Sequence, residues 1–279
     1  MSDPDAATMT HEEIGAWWAT SVTRVAPGEI DLRGYAVQDV IGRLGFVEVV
    51  WLLLRGERPD PARARMLEAA LVASVDHGPQ APSIAAARMA ATCGLGLNSA
   101  VATGVNLLGD VHGGAGQQCV ALLHRMADLR AAGGGAEAVA EAVVAEYRER
   151  GAYVPGFGHR FHPRDPRRDP LLAMVREAVE DGVVDPGPLE SALALEKALA
   201  ARRTRPVPMN IDGATAVVYA CLGFDAELAR GLFVLSRSVG ILAHAWEESR
   251  GGARIKGPLP RQVLAAYTGP PTRALGPDA

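Results

Sequence analysis

Between Leu228 and Trp246 the apolar residues Leu228, Leu232, Leu235, Val239, Leu242 and Trp246 recur at steps of four, three, four, three and four. That spacing gathers them on one face of an α-helix and would scatter them over both faces of a strand. One long helix is therefore predicted over 226–248, with Asp225 as its candidate N-cap and Gly251-Gly252 beyond its end. A second stripe, Met66, Leu67, Ala70 and Leu71, follows Pro61 and predicts a helix over 62–75. Helical patterns also cover 12–18, 37–55, 83–92, 98–108, 114–131, 136–150, 170–180, 188–202 and 213–222. Strand patterns are short, at Val22–Val25 and Glu29–Leu32. The 49 alanines, beside aromatics at only 5%, suit packed helices better than sheets. The expected fold is all-α.

A chain of 279 residues accommodates one large domain, or a large one with a small one attached. Its formal net charge of −4 offers no basic excess to neutralise a phosphate backbone, so nucleic acid is not an expected partner. Cys93, Cys119 and Cys221 are odd in number, far apart and free of any CxxC pattern, which fits a reducing cytoplasm rather than a disulfide framework or a cysteine zinc site. The N-terminus is acidic and polar, unlike a signal peptide, and the longest strongly apolar stretch, Val49–Leu54, is too short to span a bilayer. A soluble cytoplasmic protein is expected, with no membrane partner. The run 131–136 has the glycines of a flexible helix connection, and 270–279 those of a loose tail.

The stretch 151–169, GAYVPGFGHRFHPRDPRRD, is different: glycine- and proline-rich, yet loaded with histidine and arginine. Long polar loops of this kind inside helical proteins often carry function. Three histidines stand beside glycine, at His77-Gly78, His112-Gly113-Gly114 and Gly158-His159. Glycine there permits backbone conformations and close ligand approach that bulkier residues forbid. Asp212 stands where a loop gives way to the predicted helix 213–222. Histidines, a carboxylate and nearby arginines are the groups needed for proton transfer beside a carboxylate-bearing substrate. Each has a plainer alternative. An Asp in the place of Asp212 is, taken alone, more often an N-cap than a base. His77 could end the helix 62–75, complementing its dipole, and His244 fits a satisfied core histidine. His159 and His162 lie three apart, but the following Pro163 and Arg164 suit a closed metal site poorly, so no metal is expected.

In combination, five ordered segments resemble the citrate synthase superfamily. GDVHGGAGQQCVALL is similar to its PLHGGAN element, and VPGFGHRFHPRDPR to its PGxGH…DPR loop. MNIDGATAVVYACLGF resembles PNVD…YxxLG, and LFVLSRSVGILAHAWEE resembles LxxxSRxxGxxAHxxE. RGYAVQDVIGRLGFVEVVWLLLRGERP resembles the N-terminal RGY…FxEVxxLLxxGxLP signature. Together they extend from about Arg33 to Tyr267.

The resemblance implies a citrate synthase-like fold: a large helical domain of residues 1–114 and 221–279, and a smaller one of 115–220 on the coenzyme A side, with the active site in the cleft. It implies catalytic roles for His112 on the thioester oxygen, Asp212 on the methyl proton and His159 on the carbonyl that becomes a hydroxyl. It further implies that His77, Arg167 and Arg237 bind substrate, and that Gly156, Phe157 and Gly158 contact coenzyme A. No bound cofactor is implied, since the coenzyme A thioester is itself the substrate. A homodimer is expected, with the small residues Ala100, Ala102 and Gly104 suited to close packing between helices. Three departures stand out: Gly78 where the family's DHE has Glu, Met209 where PNVD has Pro, and Ile255-Lys256-Gly257-Pro258 for IxRP, with Lys256 or Arg254 as the alternative cations. Only 17 residues separate Pro59 from His77, a compactness that resembles the citryl-CoA lyase branch. Cleavage of citryl-CoA to acetyl-CoA and oxaloacetate is the expected reaction. The alternatives are a short citrate or alkylcitrate synthase and a non-catalytic coenzyme A-binding subunit.

Overall fold

A computed structural model describes residues 9–158, 164–201, 207–260 and 262–274. Helix α1 (His11–Trp17) opens with a capping box: Thr10 Oγ1 accepts the Glu13 N–H, and the Glu13 carboxylate accepts the Thr10 N–H at 2.7 Å. Three short strands follow as an antiparallel meander, β1 (Thr23–Ala26), β2 (Glu29–Leu32) and β3 (Tyr35–Ala36), with Val25 opposite Ile30 and Asp31 opposite Ala36. The third strand was not expected, because two residues carry no periodicity. The predicted helix 37–55 is two helices, α2 (Val37–Val40) and α3 (Phe46–Arg55). Gly42, at φ +79°, breaks the run, and α3 starts afresh at Gly45, whose N–H donates to the Glu48 carboxylate at 2.7 Å.

The remaining helices lie close to their predicted spans: α4 (Pro61–Ser74), α5 (Pro82–Thr92), α6 (Leu97–Val105), α7 (Ala115–Ala131), α8 (Ala136–Glu149), α9 (Arg168–Glu180), α10 (Gly187–Ala200), α11 (Ile211–Cys221) and α12 (Ala226–Arg250). The protein is all-α apart from the small sheet.

The chain divides into two compact units, Met1–Ser74 with Gly113–Phe233, and Val75–His112 with Val234–Ala279. The division expected from sequence set 115–220 apart from the rest, so the two partitions share a boundary near residue 113 and differ elsewhere. The core of the first unit surrounds α11, which is buried over Gly213–Ala220. A helix that is apolar on all sides belongs at such a centre. Met66 of α4, Leu123 of α7, Leu172 of α9 and Leu195 of α10 pack in that core. In the same core the Trp51 and Phe224 rings meet edge to face, 5.3 Å apart, and Arg55 covers the Phe224 ring while donating to the Leu222 carbonyl at 2.7 Å.

In the second unit α5 and α6 pack with the latter part of α12. A Cβ on Gly104 would stand 2.7 Å from both Ile241 and the Ser83 carbonyl oxygen, and Ala100 is fully buried. Gly104 and Ala100 thus serve packing inside the chain, whereas Ala102 is exposed.

The apolar stripe of α12 is divided. Leu232 is buried, but Leu235, Val239, Leu242 and Trp246 are 38%, 56%, 44% and 50% exposed. The opposite face goes inward and carries Gly240, Ile241 and Ala245 together with Ser236, Arg237 and Glu248. By length and composition α12 could cross a membrane, its most apolar 18-residue window reaching a mean hydropathy of 1.2. Arg230, Arg237 and His244 interrupt the run, which is why no continuous apolar stretch of that length is visible in the sequence.

Candidate functional site

In the first unit the segment 154–158 lies against the start of α11. Gly156 has φ +84°, and a Cβ there would stand 2.8 Å from both Cys119 Sγ and Gly213 Cα. A Cβ on Gly213 would in turn overlap the Gly156 carbonyl oxygen. Only glycine at both positions allows this approach. The contact is sealed by backbone pairing: Gly158 N–H donates to the Pro208 carbonyl at 2.7 Å and Asn210 N–H to the Gly156 carbonyl at 3.0 Å. Asn210 Nδ2 adds a 2.7 Å bond to the Gly158 carbonyl.

Asn210 also resolves the question of the cap. Its Oδ1 accepts the N–H groups of Asp212 at 2.9 Å and Gly213 at 3.2 Å, while its own backbone is extended. The N-cap alternative for Asp212 is thereby overturned. Asp212 is the second residue of α11, half-buried, with its carboxylate near Cys119. Burial, and then that carboxylate, push the Cys119 thiol up to about 12, so it stays a neutral S–H.

Arg167 is engaged within its own loop. Asp165, 1% exposed, accepts Arg167 Nε and Nη2, both at 2.9 Å, and the Arg167 N–H at 3.1 Å. Its Oδ2 also accepts the N–H of Ile211, the first residue of α11, at 3.2 Å. Burial alone would raise the Asp165 pKa, but these bonds outweigh it and hold the carboxyl below the usual range. Arg167 Nη1 reaches the Ala73 carbonyl at 3.4 Å. Next to it, buried Arg168 pairs with Glu196, whose other oxygen accepts the Met209 N–H at 2.8 Å. Sequence reasoning passed over Asp165, although it stands in the same DPR triplet as Arg167.

The second unit holds His77, His112 and Arg237. His112 Nε2 accepts the backbone N–H of Ser83 at 3.2 Å and lies 2.9 Å from Ser83 Oγ, at the start of α5. Burial first, and then the positive charge of Arg237, lower the His112 pKa. The imidazole is therefore neutral at pH 7. Asp76, beside His77, accepts the Gly78 N–H at 3.2 Å and faces His244 Nε2 at 3.3 Å. A Cβ on Gly240 would overlap the Val75 carbonyl and stand 2.8 Å from Asp76 Oδ1, so α12 passes close to this turn. His244 is only half the satisfied core histidine expected, because its buried Nδ1 has no hydrogen-bond partner among the described residues.

Lys256 is tied down by Glu248, at 2.9 and 3.1 Å, and its N–H donates to Thr92 Oγ1. Glu248 is shared with Arg88 at 2.5 Å. Arg254 is exposed.

Of the expected site residues, Asp212, Arg167 and Gly156–Gly158 thus share the first unit, and His77, His112 and Arg237 the second. His159 lies outside the described residues. No group of three or more metal-ligating side chains occurs among the described residues.

Comparison with known proteins gives this arrangement its context. The family described as citrate synthase, C-terminal domain, matches residues 54–258. The structure of citryl-CoA lyase from Hydrogenobacter thermophilus superposes with a TM-score of 0.83 at 31% identity, over 94% of this chain and 98% of that one. Citrate synthase from Mycolicibacterium smegmatis is 31% identical over 98% of this chain and 68% of its own length. Citrate synthase from Corynebacterium glutamicum is 32% identical over 78% of this chain and 49% of its own. The chain therefore spans about half the length of several of the citrate synthases it matches. With the family match covering most of its length, the chain belongs to the citrate synthase family, enzymes that act on coenzyme A thioesters.

Proposed function

We propose that the protein cleaves citryl-CoA to acetyl-CoA and oxaloacetate. The observation that favours cleavage over synthesis is internal compactness, with only 17 residues between Pro59 and His77, beside a superposition on the Hydrogenobacter lyase at a TM-score of 0.83. In the proposed reaction His159 accepts the citryl hydroxyl proton as the carbon–carbon bond breaks and the hydroxyl becomes the oxaloacetate carbonyl. The electron pair passes to the thioester as an enolate, whose oxygen is held by His112 Nδ1–H. Asp212, in its acid form, then protonates the departing carbon to give the methyl group.

A neutral imidazole suits the enolate because it donates a hydrogen bond without being so acidic as to lose its proton. Arg237, His77 and the Nη1 terminus of Arg167, which makes only a long 3.4 Å contact to the Ala73 carbonyl, would bind the carboxylates of oxaloacetate. Gly156, Phe157 and Gly158 would line the coenzyme A side, and the division of 115–220 from the rest is kept as the proposed functional one. Coenzyme A enters and leaves as part of the substrate. Condensation of an acyl-CoA with a 2-oxo acid remains the competing reaction, supported by the citrate synthase relatives.

The proposed assembly is a homodimer, supported by the outward stripe Leu235, Val239, Leu242 and Trp246 on α12. Light scattering that finds a monomer at all working concentrations would remove it. The proposed location is the cytoplasm, in keeping with free thiols at Cys93, Cys119 and Cys221.

The deciding experiment incubates purified protein with citryl-CoA and identifies products by mass spectrometry. Acetyl-CoA and oxaloacetate are expected. Free citrate and coenzyme A would support the synthase reading, and an unchanged substrate the non-catalytic one.

A further inference from the structure

Four donors converge on Asp165, and they come from two places. Three belong to Arg167: Nε and N–H on Oδ1, and Nη2 on Oδ2. The fourth is the Ile211 N–H, also on Oδ2, from 46 residues along the chain. Being the first amide of α11, it has no acceptor within its own helix. Elsewhere at this helix start Asn210 Oδ1 takes the amides of Asp212 and Gly213. Asp165 and Asn210 together thus satisfy the first three N–H groups of α11.

Two consequences follow from a carboxylate that is almost wholly buried. The Nε–Nη2 edge of Arg167 is used up, so the plane of its guanidinium is fixed and Nη1 is the terminus directed elsewhere. The peptide immediately before Asp212 is pinned by the same Oδ2 that holds Nη2.

We propose that Asp165 is a positioning residue that holds Arg167 and the α11 segment carrying Asp212 in one fixed relation, so that the carboxylate-binding group and the proton-transferring group keep a common reference. This rests on the roles proposed above for Arg167 and Asp212. Asp165 itself touches no reacting atom in this scheme. Misplacing a reacting group by as little as 1 Å costs on the order of a hundredfold in rate, which is the scale on which such a reference matters.

The test uses the full chain with Asp165→Asn and Asp165→Glu. The amide variant keeps the volume and loses the charge. The longer Glu can keep the ion pair with Arg167 but moves its oxygens away from the Ile211 amide. In Asp165→Asn the Ile211 amide is expected to exchange with deuterium about tenfold faster or more, and kcat for citryl-CoA to fall about tenfold to a hundredfold. In Asp165→Glu kcat, referred to the folded fraction measured from its unfolding transition, is expected to fall about tenfold while KM stays within about threefold; a general loss of folded protein disappears under that normalisation. Should Asp165→Asn fail to fold, the Glu variant carries the same comparison.

Wild-type kcat and unchanged Ile211 exchange in both folded variants overturn the inference. Failure of the wild-type protein to turn over citryl-CoA overturns the functional reading instead. Accelerated Ile211 exchange would then still support the anchoring of α11, and unchanged exchange would refute it.

Discussion

His112 Nε2 accepts the Ser83 backbone N–H at 3.2 Å, and an amide nitrogen can only donate. Nε2 is therefore the unprotonated nitrogen, and the neutral ring carries its proton on Nδ1. The start of α5 selects a tautomer, as helix N-termini do elsewhere by disfavouring a positive ring. Imidazole 15N spectra at pH 7 are expected to show His112 protonated at Nδ1. An Nε2-protonated ring would exclude the proposed enolate contact.

The same geometry fixes a pH dependence. The folded pKa of His112 lies below the ordinary 6.5, so above that pH the ring is neutral in both folded and unfolded chains. As pH falls below 6.5 the unfolded chain takes the proton first, and the contribution of this site to stability is lost. Mutating His112→Gln should flatten that part of the stability profile just below pH 6.5, measured by urea unfolding. An unaltered slope would mean that His112 is not the group responsible.

Gly156 and Gly151 both have positive φ, at +84° and +63°, but only Gly156 has neighbours where a Cβ would go. Gly151→Ala should cost about 1 kcal/mol, for the left-handed backbone alone. Gly156→Ala must also displace Cys119 or the start of α11, and should cost about 3 kcal/mol or more. Equal losses in chemical denaturation would show that the loop can move away from α11 at no cost.

Glu248 is buried between Arg88 and Lys256. Burial pushes its pKa up, but Lys256 and Arg88 outweigh that and the net direction is down. Its contribution is thus present above the ordinary carboxyl pKa and lost as pH falls through the lower folded value. Glu248→Ala should cost about 2–4 kcal/mol by leaving Arg88 unpaired, whereas Lys256→Ala, at a half-exposed site, should cost less than about 1 kcal/mol. The reverse order in thermal or urea unfolding would assign the cluster's stability to Lys256.

Helices were legible because periodicity and glycine punctuation are local. Their partners were not. The step pattern from Leu228 to Trp246 shows that one face of α12 is apolar, but it does not say what covers it, and from Leu235 onward that face is exposed. Gly42 and Gly45 lie inside an otherwise continuous helical pattern, so the break between α2 and α3 was hidden by the apolar residues around it. Among site residues, glycine-flanked histidines and the arginines of the motif segments stood out in the sequence. Asp165 did not, because its bond to Ile211 closes over 46 residues, and the Asp76–His244 pair closes over 168. Long-range pairing of this kind leaves no periodic trace.

Asn210 and Asp212 compete, on sequence, for one task, and the structure divides two tasks between them. Asn210 is the cap of α11 and also holds the Gly158 carbonyl, so Asn210→Ala should cost about 1–2 kcal/mol and loosen 156–158. Asp212→Asn leaves the cap untouched: the amide that donates to Asn210 belongs to the backbone, and the new side chain is nearly the same size. Its melting midpoint should therefore stay within a few degrees of wild type. An amide cannot carry the proton, however, so citryl-CoA turnover and deuterium exchange into the acetyl-CoA methyl group should both fall by orders of magnitude, with coenzyme A binding retained. A dead but stable Asp212→Asn beside an active but weakened Asn210→Ala is the expected pair of results. Near wild-type turnover in Asp212→Asn would remove the proton-transfer role. A midpoint that collapsed along with activity would return Asp212 to structure.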